Sequence, residues 1–287
     1  MNTPERPGDC PPSPPEGGRE RWTRTASTWI RGADTLRAMS REATAVLVDS
    51  LGPAPGERIV DLACGAGDPA EALAEAVGPA GLVVGVDRVE AMARSFAERL
   101  DGHAGRAAAA LAETAALPFH DDAFDGASCR FGLMFVPTPV ETLRALRRVV
   151  RPGGRCALVT WGAPEDNPYF TLVAHALDEA GAPPAPVEGP TVFECQDPVA
   201  LEEHLRAAGW EQVRVRRVPL TLHVPVAAAD ELLPFQRDLS LALEERLAAL
   251  PDALVREATA AVGRAAARWL TDDGLAVPAE VLLAEGR

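Results

Sequence analysis

The stretch RIVDLACGAGDPA, residues 58–70, concentrates groups able to bind and orient a ligand. An apolar, strand-like run carries Asp61, Gly65 and Gly67 follow closely, and an alanine-rich helical segment opens at Ala70. Glycines at such a turn let the backbone bend sharply and approach a ligand with no Cβ in the way, and the helix beginning there presents free N–H groups. A nucleotide-like ligand is the expected occupant. The glycines alone do not choose which one, because Gly65 to Ala70 also satisfies the G-x-G-x-x-A form of a dinucleotide fingerprint. A tight turn with no ligand would use two glycines as well.

Asp61 favours one class. A carboxylate at the strand's end would crowd a pyrophosphate, whereas it suits the α-ammonium group of an amino-acid-bearing nucleoside, S-adenosylmethionine. A second strand, LVVGVD, ends in Asp87, placed to accept hydrogen bonds from ribose hydroxyls, with Met92 nearby to pack on adenine. An acid in this position is shared with NAD enzymes and does not separate the two cofactors. A third segment, ETAALPFHDDAFD, begins with Glu113, whose carboxylate can accept from an exocyclic adenine amine.

These groups need a scaffold that brings strand ends together. Short β-rich runs alternate with alanine-rich helical stretches from Arg58 to Trp161, which predicts a parallel sheet covered on both faces. Pro152-Gly153-Gly154 reads as a tight turn from a helix into the strand at Arg155–Trp161. Residues 1–20 are rich in proline with little to bury and are expected to be a disordered tail. Residues 21–52, with Trp22, Trp29, Leu36, Met39 and Leu47 at helical spacing, form an expected helical lid. The main domain takes residues 53–227 and 274–287, with strands expected at Glu211–Val224 and Leu275–Ala284. Residues 228–273 turn helical again and read as a cap inserted near the C-terminus, over the substrate end of the sheet, or as an outer packing layer.

Composition bounds the function. A 287-residue chain with 47% apolar content fills one α/β domain with additions. Its formal charge of -14, from 42 acidic and 28 basic residues, repels a phosphate backbone, so no nucleic-acid partner is expected. The five cysteines are scattered without zinc-like spacing, so no metal site is expected and reduced thiols in a cytoplasm fit. No run approaches the roughly 18 apolar residues of a membrane span.

Together the segments VDLACGAGD, VVGVD, ETAALPFHDDAFD, CRFGLMFV and RRVVRPGGR make the chain, over roughly residues 56 to 165, resemble the class I S-adenosylmethionine-dependent methyltransferases. Within them it is similar to the quinone-biosynthesis C-methyltransferase branch. The resemblance implies a Rossmann-like, seven-stranded, mostly parallel sheet with its last strand antiparallel. It implies that Asp61, Ala63, Gly65 and Gly67 line the methionine moiety, Asp87 and Arg88 the ribose, and Glu113 and Thr114 the adenine. Arg130 falls in the segment that closes over the cofactor. Glu113 stands where that branch usually has aspartate, and Arg88 where a small polar residue is commoner.

The expected activity is methyl transfer to a small molecule. Proximity and alignment supply much of such a reaction, and a general base helps only where the nucleophile must lose a proton. His120, His175 and His223 are the candidate bases, each equally readable as a surface histidine, and no catalytic residue is assigned. Phe131, Leu133, Met134, Phe135, Tyr169 and Phe170 are candidates for an apolar acceptor pocket or ordinary core. Trp22 and Trp29 are candidates for a lid across the cofactor. Two other functions stay open: a cofactor-binding module or cyclase without methyl transfer, and an NAD(P)-dependent oxidoreductase.

Overall fold

Helical spacing at the start of the chain gives three helices, α1 (Gly17–Arg31), α2 (Ala33–Met39) and α3 (Arg41–Leu51). Ala43, Leu47 and Leu51, four apart, put one stripe of α3 into the core, and Gly52 ends it in a left-handed conformation at φ 54°. The structure, a computed structural model, describes residues 17–103, 106–184 and 190–287. The expected tail therefore lies outside the described residues up to residue 16, and its last four residues open α1.

Strand and helix then alternate: β1 (Arg58–Leu62), α4 (Ala70–Val77), β2 (Leu82–Asp87), α5 (Glu90–Arg99), β3 (Ala107–Leu111), β4 (Phe124–Arg130), α6 (Pro139–Val149), β5 (Val150–Trp161), α7 (Pro168–Glu179), α8 (Pro198–Ala207) and β6 (Arg214–Val224). Three helices follow, α9 (Leu232–Leu239), α10 (Leu241–Ala248) and α11 (Asp252–Ala266), and then β7 (Leu270–Thr271) and β8 (Gly274–Gly286). The sheet order is β3-β2-β1-β4-β5-β8-β6, with β8 antiparallel to both β5 and β6. This is the expected Rossmann-like α/β fold. Its eighth strand, β7, is a two-residue hairpin partner of the start of β8. Ile59, Val60 and Leu62 are wholly buried, as the central strand of a sheet covered on both faces requires.

The Pro-Gly-Gly segment departs from the expected turn. β5 begins directly at Val150, which pairs with Phe124, and the ladder resumes only at Arg155 opposite Gly126, so residues between them bulge out of the strand. Gly154 is required there because a Cβ would lie 2.7 Å from the Asp125 carbonyl oxygen.

The parallel strands β1, β2, β4 and β5 end on one edge of the sheet, and that edge brings Asp61, Asp87, Arg130 and Trp161 together. Helices α1 and α2 lie over it. The block from α9 to α11 packs against α7 and behind α1: Gly32 leaves room for Leu239, and Arg24 lies 3.7 Å from Glu245. Among the described residues no helix is long and apolar enough to cross a membrane.

Candidate functional site

The floor of the cleft is set by register. Asp61 of β1 lies beside Gly85 of β2 and Ser128 of β4, and the Ser128 hydroxyl donates to Asp61 Oδ1 at 2.6 Å. Asp61 is 1% exposed, and its Oδ2 is buried with no hydrogen-bond partner among the described residues. Burial pushes its carboxyl up to about 7, helped by the nearby Asp68 and Asp87 carboxylates and opposed by Ser128 and Arg130. A buried carboxylate with one unpartnered oxygen is a site for a cation.

Above it the chain turns through Ala63 and Gly65, both at positive φ, 52° and 51°. Alanine in that region is strained by about 1–2 kcal/mol, a cost concentrated at functional sites. A Cβ on Gly65 would project into open space, so its absence leaves a cradle, and the Gly65 N–H donates to Asp87 Oδ2 at 3.1 Å. Val89 N–H binds the other Asp87 oxygen at 2.9 Å. Burial raises the Asp87 carboxyl against these donors. Asp87 thus ties the glycine turn to the end of β2 while facing the cleft.

The cleft holds about 250 Å³ of free space, near the lower end of the roughly 300–1,000 Å³ of small-molecule pockets. Ala63, Gly65, Asp87, Arg88, Met92, Thr114 and Arg130, all singled out from the sequence, line it. Asp61 sits beneath the lining. Gly67 faces Arg99 of α5 instead, since a Cβ there would lie 3.0 Å from Arg99 Cδ. Glu113, 44% exposed, is turned away from the cleft, paired with Arg19 of α1 and 3.8 Å from Arg88.

Arg130 does more than close the cleft. Its guanidinium pairs with Asp68 at 2.7 Å and donates to the Ser40 hydroxyl between α2 and α3, while Thr44 of α3 donates to Asp68 at 3.0 Å. The N-terminal helices are therefore fastened to the glycine turn through one buried ion pair. Met92 packs with Ala26, Trp22 and Ile30 and fastens α1 to α5.

The far half of the cleft is aromatic. Phe131, at φ 56°, stacks on Trp161 at 4.1 Å with the rings 5° from parallel, and Phe170 meets Trp161 edge-on at 4.8 Å. Trp22, Trp29, Phe135 and Tyr169 complete the wall, whereas Leu133 and Met134 are buried in the core. β2 and β5 stand three strand spacings apart, roughly 14 Å at about 4.8 Å each, so the carboxylate end and the aromatic end are a ligand's length apart. None of the three candidate histidines lines the cleft: His120 and His175 are exposed, and His223 is 3.3 Å from Glu42. Sequence reasoning missed Ser128, Asp68, Ser40 and Trp161 as site residues; the strand register would have found Ser128, but no local motif marks the others.

Comparison with known proteins bears on what fills such a cleft. Residues 38–177 match the model of the ubiE/COQ5 methyltransferase family. The chain is similar to Synechococcus elongatus 2-phytyl-1,4-naphtoquinone methyltransferase, 40% identical over 116 residues, which are 38% of this chain and 48% of that protein. The chain resembles the class I S-adenosylmethionine-dependent methyltransferases of quinone biosynthesis. It is also 37% identical over 140 residues, 47% of this chain and 56% of the relative, to the Yersinia enterocolitica ubiquinone/menaquinone biosynthesis C-methyltransferase. The matches span about half the length of these relatives. Among solved structures, a Haemonchus contortus phosphoethanolamine N-methyltransferase in complex with S-adenosyl-L-methionine shares the fold, with a TM-score of 0.56 and 16% identity over 94% of this chain and 60% of that one. The residues fit the S-adenosyl-L-methionine that this neighbour binds: Asp61 Oδ2 lacks the cation that an α-ammonium group supplies, and Gly65 leaves the cradle open.

Proposed function

We propose that this chain is a methyltransferase acting on a small, planar, apolar acceptor held against the aromatic half of the cleft. The reading is carried by one observation: a cleft-facing Asp87 shares a crevice with the Phe131–Trp161 stack, and directly beneath its lining lies a buried carboxylate, Asp61, with an unpartnered oxygen. Bound there, the cofactor supplies a methyl carbon made electrophilic by its sulfonium. Asp61 and the turn at Ala63 and Gly65 hold the amino-acid end, Asp87 and Arg88 the ribose, and Met92 and Thr114 the base. Glu113 supports α1 through Arg19, and Gly67 shapes the turn from outside. Arg130 keeps Asp68 and the helical lid in place.

Among the described residues the aromatic half brings no histidine or unpaired carboxylate to the acceptor. Alignment and exclusion of water are therefore the protein's main contributions, and such positioning is worth about 7–11 kcal/mol when reacting atoms are held in line. An acceptor already ionised or electron-rich at carbon suits this cleft, and the quinone methyltransferases it resembles support that choice. The helices between β6 and β8 act as a buttress behind the lid. The charge of -14 favours a small molecule over nucleic acid, and the buried free thiols Cys64, Cys129, Cys156 and Cys195 suit a reducing cytoplasm.

The test is calorimetric titration with S-adenosylhomocysteine and with NADH, followed by turnover with methyl-labelled cofactor over a panel of naphthols and hydroquinones. Binding of S-adenosylhomocysteine alone and label in an organic product are expected. Stabilisation by NADH alone would overturn the reading; binding with no labelled product across the panel would favour a module or cyclase.

A further inference from the structure

The single tyrosine of the chain, Tyr169, lies where hydrogen bonds from two sides fix the backbone. Tyr169 stands in the first turn of α7, just after Asn167, which is wholly buried. The Asn167 side chain donates to the carbonyls of Ala163 and Glu280 at 3.0 Å and accepts from the Glu280 N–H at 3.1 Å, stitching the start of α7 to β8. From the other side, buried Gln236 of α9 donates to the Tyr169 carbonyl, so the insertion between β6 and β8 reaches this point. The ring rests edge-on against Phe170 at 5.1 Å.

Everything about Tyr169 is tied except its hydroxyl. The residue is 8% exposed and lines the cleft, yet its hydroxyl has no hydrogen-bond partner among the described residues. A buried tyrosine hydroxyl normally finds one, and an exception calls for a reason. The hydroxyl is also not among the polar atoms shut off from the surface, and the residue lines the cleft. The aromatic and aliphatic lining of the cleft, Phe131, Trp161, Phe170, Val192 and Leu222, offers no side-chain acceptor.

We propose that Tyr169 is the acceptor-positioning residue, donating a hydrogen bond from its hydroxyl to an oxygen on a planar aromatic ligand lying against Phe131, Trp161 and Phe170. This rests on the methyltransferase reading for the identity of the neighbouring ligand. Burial raises the phenol above its usual range, so it stays protonated and acts as a donor, not as a base. An apolar ring alone would fill the pocket in several orientations. One fixed donor selects the orientation that presents a given ring atom to the cofactor.

The experiment is a cycle of two probes and two proteins. Full-length wild type and Tyr169→Phe, each saturated with S-adenosylhomocysteine, are titrated calorimetrically with 2-naphthol and with naphthalene. Wild type is expected to prefer 2-naphthol about fivefold, equivalent to about 1 kcal/mol. Tyr169→Phe should bind naphthalene as wild type does and lose the preference, with an unchanged melting temperature and unchanged S-adenosylhomocysteine affinity. A loss of packing would weaken both probes equally. Equal preference in the two proteins, no preference in wild type, or no binding of either probe would overturn the proposal. Failure of S-adenosylhomocysteine to bind wild type would instead overturn the methyltransferase reading.

Discussion

Asp61→Asn separates a binding carboxylate from a structural one. In the folded chain, burial carries this carboxyl from 3.8 to about 7. At about 1.4 kcal/mol per pH unit, that costs the ligand-free protein roughly 4 kcal/mol once the group is ionised in both states. The sign follows from the raised value: the contribution is fully present below the unfolded value of 3.8 and is lost as pH rises through about 7. Between pH 5 and 8 roughly 2–3 kcal/mol of it disappears. Asparagine keeps an acceptor for Ser128 and never ionises, though its amide brings an unpartnered donor costing about 1–3 kcal/mol. The variant should therefore match or fall below wild type in stability at pH 5 and gain on it by roughly 2–3 kcal/mol at pH 8. Urea unfolding of both proteins at each pH measures this, because titrating groups remote from Asp61 cancel in the difference. S-adenosylhomocysteine reverses the order: about 100 dissociation constants of it should stabilise wild type by roughly 2.7 kcal/mol and the variant by much less. A stability difference that stays constant from pH 5 to 8, or equal stabilisation of both proteins by the ligand, would refute the assignment of Asp61.

Three further substitutions probe the rest of the site. Gly65→Val places a branched side chain in the cradle at φ 51°; it should lower stability by about 1–3 kcal/mol and abolish calorimetric binding of S-adenosylhomocysteine while circular dichroism stays native, and retained affinity would contradict the cradle. Arg130→Met strips the partner from a largely buried carboxylate, Asp68; a loss of about 3–5 kcal/mol is expected in urea unfolding, with most of it restored in the double variant with Asp68→Asn, and equal losses in both would show that the pair is not the cause. Glu113→Gln, at a half-exposed group turned to Arg19 and Arg88, should change stability by under about 1 kcal/mol. It should also weaken S-adenosylhomocysteine binding far less than Asp87→Asn does; comparable losses would return Glu113 to the adenine.

Much of the site was legible because its parts are local. A strand that ends in an acid, a turn needing positive φ and a helix that starts beside it are all settled within a dozen residues, so Asp61, Gly65 and Asp87 announce themselves in RIVDLACGAGD and VVGVD. Strand–helix alternation likewise dictated a doubly covered parallel sheet, since a strand apolar on both faces has to be sheltered on both. The Pro-Gly-Gly segment was misread as a turn because proline and glycine permit turn and bulge alike; the pairing of Val150 with Phe124, set by a different part of the chain, chose the bulge.

Composition and short-range pattern alone thus defined the fold class, the glycine cradle and the acids beside it, because backbone conformation and hydrophobic burial answer to near neighbours along the chain. The partners of those acids answered to none. Ser128 meets Asp61 across 67 positions, Arg130 reaches Asp68 across 62, and Glu113 turns to an arginine 94 residues earlier. Such pairings are contests among distant side chains for one hydrogen bond or one charge, and their outcome exists only once strand register and helix packing have brought the contestants within reach.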